Sequence, residues 1–152
     1  MNVLTCAVRG IRPTEPLRLL PELPPRPESG GRKGPDRSRH APPTVPRGAY
    51  AVDPEPCGAP NPGNACLGNP DGPGSLVSAG PRGTLVTHPE DTRAYLSGDP
   101  TVMEFGCCRP PGREGLNELC AGCGAVVATL YADCSGAYET DFLPDAVRVT
   151  AV

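Results

Sequence analysis

Five cysteines, Cys107, Cys108, Cys120, Cys123 and Cys134, fall within 28 residues in the run FGCCRPPGREGLNELCAGCGAVVATLYADC. The unit Cys120-Ala-Gly-Cys123-Gly124 has the form of a zinc knuckle. Two thiolates two residues apart chelate one ion from a tight turn, and the glycine after the second lets the backbone reverse. A tetrahedral ion needs two more ligands. Neighbouring side chains of an extended chain point to opposite faces, so one of the vicinal pair Cys107 and Cys108 is expected to reach the ion. Cys134, in a turn-prone DCSG, is the natural fourth. The expected ligand set is therefore Cys108, Cys120, Cys123 and Cys134, with Cys107 as the substitute for Cys108. Four thiolates close the coordination sphere, which makes such a site structural rather than catalytic.

Zinc suits a knuckle followed by strands better than an iron–sulfur cluster does. A redox CxxC needs its first cysteine at a helix N-terminus, whereas Cys123 is followed by Gly124 and a β-branched run. Catalytic motifs are otherwise missing. Lys33 stands outside any phosphate loop, and Leu76-Val77-Ser78-Ala79-Gly80 lacks the first glycine of a nucleophile elbow. Asp133, Glu139, Asp141 and Asp145 are spread over expected loops and sheet faces and are not read as a carboxylate pair. The reading leans against an enzyme.

The elements that must carry the cysteines are short. Thr84–Thr87 (TLVT) reads as a strand, and HPEDTRAYL opens a helix that Gly98 ends. Pro89 takes its first position, Glu90 and Asp91 lie in its first turn, and His88 or Thr87 caps it. His88 is accordingly read as a cap or surface residue in preference to a metal ligand. Ala125–Tyr131 and Tyr138–Leu143 read as strands and Val147–Val149 as a third or as one turn of helix around Asp145, with turns at Asp133–Gly136 and Pro144–Asp145. The expected fold is a small β-rich, zinc-ribbon-like domain over 84–152, one short helix before its strands, hung from the cysteine cluster.

Upstream, 19 of the 22 prolines precede residue 101, and four of the six aromatics follow it. Residues 1–44 read as a long disordered Pro/Gly/Arg-rich leader. Thirteen arginines against one lysine is a GC-rich codon pattern, so this leader is also a candidate mis-assigned start, with Val45 as the alternative. Residues 45–83 read as a Pro/Gly-rich loop segment with one edge strand near Ser75–Ala79; Cys57 and Cys66 within it, and Cys6 before it, are read as incidental. A C-terminal unit this small buries little apolar surface and needs a staple, which the metal supplies.

Charge is divided between the halves. Residues 1–48 hold nine Lys/Arg against four Asp/Glu, and residues 49–152 hold five against thirteen. The acidic half would be repelled by phosphate backbones, and the arginines of the basic half are scattered without interleaved aromatics, so nucleic acid is not the expected partner. No run approaches a membrane span and Met1–Val8 is too short and weakly apolar for a secretory core, which leaves a soluble cytoplasmic protein as the expectation.

The residues GAYAVDPEP, the GCC at 106–108, GLNELCAGCG, VATLYADCS and FLPDAVR resemble a group of small uncharacterised actinobacterial cysteine-rich proteins with a CC…CxxCG…ATxxxDC pattern. The likeness spans residues 47–152 and implies that Cys107, Cys108, Cys120, Cys123 and Cys134 belong to one site. The functional expectation is a bacterial protein with a structural zinc mini-domain, acting as an adaptor that binds a protein partner. The alternative is a thiol-based redox or metal sensor that uses the spare member of the vicinal pair.

Overall fold

The computed structural model describes residues 1–11, 14–27, 41–54, 57–60, 76–78, 82–103, 112, 115–133 and 136–152. Its elements are β1 (Asn2–Cys6), β2 (Arg18–Leu19), β3 (Ala49–Asp53), β4 (Cys57–Pro60), β5 (Leu76–Ser78), β6 (Thr84–Thr87), α1 (Pro89–Thr92), β7 (Leu96–Gly98), β8 (Glu118–Cys120), β9 (Val126–Tyr131), β10 (Glu139–Phe142) and β11 (Val147–Ala151). Seven strands make one sheet in the order β2-β3-β6-β10-β9-β8-β7, with β1 and β11 paired separately and β4 and β5 forming a third ribbon. In the large sheet β2 runs parallel to β3, and the other neighbours are antiparallel.

The central strands are covered on both faces, which is why β6 and β10 are buried at all four positions. The register sets Leu85, Phe142 and Ala128 side by side on one face. Together with Tyr50 of β3 they join the main core, to which β1 and β11 contribute Leu4, Cys6 and Val147. Phe142 is fully buried, and truncating such a side chain to alanine costs about 3–5 kcal/mol. On the other face Val86 and Ala51 pack with Val45, Leu20 and Leu23.

The opening residues are not the leader the composition suggested. β1 pairs with β11 from Asn2↔Ala151 to Cys6↔Val147, and Asn2 and Leu17 exchange backbone hydrogen bonds at 2.7 and 2.6 Å. Thr14 Oγ1 accepts the Leu4 N–H at 2.9 Å. Prolines 21, 24, 25 and 27 lie in a segment without regular hydrogen-bonded structure that nonetheless packs Leu20 and Leu23 onto the sheet. Proline forbids ladder bonds but presets extended backbone, so proline density here marks a fixed irregular strap rather than disorder. Residues 28–40 lie outside the described residues.

The strand expected at Thr84–Thr87 is present. So are those expected within Ala125–Tyr131, Tyr138–Leu143 and Val147–Val149. They extend a sheet that reaches back to residue 18 instead of forming a separate unit from residue 84. The helix is shorter than its sequence signals imply. It spans Pro89–Thr92, and Leu96–Gly98 has left it to pair with β8. Its start is as read: His88 Nδ1 accepts the Glu90 N–H at 3.0 Å. Asp91 then holds α1 to the start of β3, accepting from Arg47 Nε at 2.8 Å and from the Gly48 N–H at 2.7 Å.

Candidate metal centre

β1 and β8 end at the same place, and each ends in a cysteine. Cys6 and Cys120 are almost completely buried, and Cys123, in the turn after β8, is half-buried. The three sulfurs lie within 4.8 Å of one another, with Cys6 Sγ and Cys123 Sγ 3.5 Å apart. Thiolates at about 2.3 Å from a tetrahedral zinc stand about 3.8 Å from each other, so three corners of such a site are in place before any ion arrives.

The turn after β8 is tight. Cys120 N–H donates to Ala125 O and Gly124 N–H to Cys120 O, both at 2.8 Å, and Gly124 takes φ +75°, a conformation that strains other residues. Gly122 faces the Ile11 side chain so closely that a Cβ there would collide with it. The small residue is thus what lets the turn approach the chain following β1.

The electrostatics of the three sulfurs differ. Burial disfavours the Cys6 thiolate, but N–H groups of Val8 and Arg9, with the neighbouring thiols of Cys123 and Cys120, outweigh it and hold the Cys6 pKa below the ordinary thiol value. At Cys123 the Ala125 N–H favours the thiolate, and burial with the adjacent sulfurs of Cys6 and Cys120 overcomes it, so its pKa is raised. One sulfur of the pair is poised to ionise first, and a bound cation would favour the thiolate at all three.

Of the expected ligands, Cys120 and Cys123 are brought together; Cys107, Cys108 and Cys134 lie outside the described residues. Cys6, read as incidental, is the third member, supplied by a strand 117 positions from Cys123. A local signal was available in the sequence: Gly10 follows Cys6 by the same four residues that separate Gly124 from Cys120. His88 caps α1 and packs edge-on against Tyr138, with ring centroids 5.7 Å apart.

A second polar cluster lies on the sheet face that carries Val86. Arg26 reaches Glu139 with Nε at 3.0 Å to both oxygens and Nη2 at 2.8 Å, and reaches Asp53 Oδ2 at 2.8 Å. Thr44 Oγ1 donates to Glu139 as well. Asp141, two positions along β10, is buried, and its Oδ1 has no hydrogen-bond partner among the described residues. Burial first, then the charge of Glu139, pushes the Asp141 pKa well up. Glu139 and Asp141 are therefore buried neighbours, whereas the sequence reading spread them over loops and sheet faces and did not pair them. Arg26 is held charged: burial opposes its ionisation, but Glu139 and Asp53 outweigh that cost. A guanidinium already occupies the space between two of the carboxylates, which makes this cluster a structural ion-pair network.

A cavity of about 300 Å³ opens on the other side of β10, lined by Glu90, Arg93, Leu96, Leu130, Tyr138 and Thr140 among others. No helix among the described residues is long and apolar enough to cross a membrane. Comparison with protein-family models, with curated proteins and with solved structures gives no significant match for this chain. What the geometry defines is a β-rich chain with one short helix and a three-cysteine cluster able to hold a metal ion.

Proposed function

We propose that this chain is a zinc-clasped β protein in which Cys6, Cys120 and Cys123 hold one ion, and that the clasp serves a binding module rather than a catalyst. The observation that carries this reading is the convergence of three sulfurs within 4.8 Å from opposite ends of the sequence. Backbone N–H groups aimed at Cys6 and Cys123 are the second shell that a thiolate centre uses to spread its charge. Cys107, Cys108 and Cys134, the other ligands expected from the sequence, are the protein's remaining candidates for the same ion. In this proposal the site is a zinc-ribbon-like anchor for a surface that binds a protein partner.

Elemental analysis of the purified full chain tests the reading. One zinc per chain is expected, with stoichiometric metal lost in Cys6→Ser as completely as in Cys120→Ser. No stoichiometric metal in the wild type, or full retention in Cys6→Ser, contradicts it.

The 3.5 Å separation of Cys6 and Cys123 favours a second reading, thiol-based sensing at this site. Hydrogen peroxide would oxidise the two thiols to a disulfide and be reduced to two waters, with release of the ion. Peptide mapping after peroxide treatment distinguishes it: a Cys6–Cys123 linkage supports sensing, and intact thiols with zinc still bound leave the structural clasp alone.

A further inference from the structure

The chain turns twice at the cysteine cluster, and the two turns share one hydrogen-bond pattern. After β8, Cys120 N–H donates to Ala125 O and Gly124 N–H to Cys120 O, each at 2.8 Å. After β1, Cys6 N–H donates to Ile11 O at 2.6 Å and Gly10 N–H to Cys6 O at 2.8 Å. Both glycines take positive φ, +66° at Gly10 and +75° at Gly124. Aligned on these bonds, Cys6-Ala-Val-Arg9-Gly10-Ile11 matches Cys120-Ala-Gly-Cys123-Gly124-Ala125 residue for residue, and Arg9 stands where the second turn has Cys123. The backbone of Arg9 is already at the cluster, since its N–H donates to the Cys6 sulfur. The turns also touch, through Ile11 and Gly122.

Resting on the metal reading above, we infer that these turns are the two halves of a double knuckle in which residue 9 marks the fourth corner, and that this corner takes a small thiol from solution. A knuckle offers its ion one sulfur at the strand end and a second three residues on; in the first turn that second residue is an arginine. A guanidinium has no lone pair to donate, so it cannot complete the coordination sphere. Among the described residues three sulfurs face the cluster, and an ion held by three protein ligands keeps a position at which it exchanges its fourth. Three thiolates leave Zn²⁺ at a net charge of about −1, and a fourth soft anion brings it to about −2. Arg9 is exposed, and a cation carried by that turn would offset the added charge and recruit the anion. Soft ligands suit a thiolate-bound ion, which makes a thiol the chemical class the corner selects.

The full chain loaded with Co²⁺ in place of zinc reports the number of bound thiolates through its sulfur-to-metal absorption. Titration of the wild type with 2-mercaptoethanol is expected to give a saturable rise of about a third, four thiolates against three. Arg9→Cys is expected to show that higher intensity without added thiol and to ignore the titrant. Arg9→Ala, a control for tolerance of the turn, is expected to keep the metal and to bind the thiol several-fold more weakly. A wild-type spectrum of four thiolates that does not respond to thiol overturns the inference, because the protein then fills the corner itself. An Arg9→Cys spectrum identical to wild type overturns the placement of the corner. Failure of the wild type to take up Co²⁺ or zinc is a different result and removes the metal reading itself.

Discussion

Asp141 and Glu139 stand two residues apart on β10 and so share one face of the sheet. Arg26 and Thr44 occupy Glu139, while the buried Oδ1 of Asp141 has no hydrogen-bond partner among the described residues. Its pKa is raised in the folded chain, first by burial and then by the charge of Glu139. The native state therefore holds a proton that the unfolded chain releases near pH 4, and stability falls as pH rises from there through the folded pKa. Asp141→Asn supplies an N–H in place of that proton and removes the titration. The variant is expected to melt at a higher temperature than wild type at pH 7 and to lose its advantage near pH 4; equal melting temperatures at both values would contradict the assignment. At this scale the sequence showed what local chemistry shows: the cap at His88 and the Cys120-Ala-Gly-Cys123-Gly124 turn. The pairing of Glu139 with Arg26 was illegible, because the two residues are 113 positions apart and nothing near either one encodes the other.

The strands were legible where β-branched residues are dense, as in VVATLY of β9 and TLVT of β6. The helix was legible at its start, which is a matter of capping, and not at its end. Leu96–Gly98 was drawn into β7 by pairing with β8, a tertiary preference that overrides the run of helix signals. β1 was missed because five residues of moderate β propensity mean little until β11 is beside them. An ion held by the three cysteines would tie these two strands to the large sheet, since Cys6 ends β1 and Cys120 ends β8. A crosslink closing a loop of this length restrains the unfolded chain by about 5 kcal/mol. Removal of the proposed ion by chelator is thus expected to speed amide hydrogen exchange in Asn2–Cys6 and Val147–Ala151, while Leu85–Val86 and Thr140–Phe142 remain protected. Unchanged exchange in β1 and β11 would mean that the cluster does not anchor them.

For the molecule as a whole, composition suggested a disordered front and a folded rear, and the structure joins the two. Leu4 and Leu17 are fully buried, and Arg26 is the counter-ion of Asp53 and Glu139. A chain of residues 45–152, the product expected from a start at Val45, lacks these groups, Cys6 and the partner strand of β11. It leaves the buried Glu139 without Arg26, a defect that costs about 3–5 kcal/mol where one partner of a buried pair is removed. That chain is expected to give no cooperative thermal transition and to hold less than one zinc; a sharp transition with full zinc would restore the shorter product. The sequence by itself determined the cysteine-rich knuckle, the helix cap and the dense β segments, because each depends on residues within a few positions of one another. Only the tertiary structure decided that Cys6 completes the cluster, that a proline-rich strap carries Arg26 to the buried Glu139, and that β1 closes on β11. Those contacts join positions more than a hundred residues apart, and such pairings leave no periodicity or spacing in the chain from which they could be read.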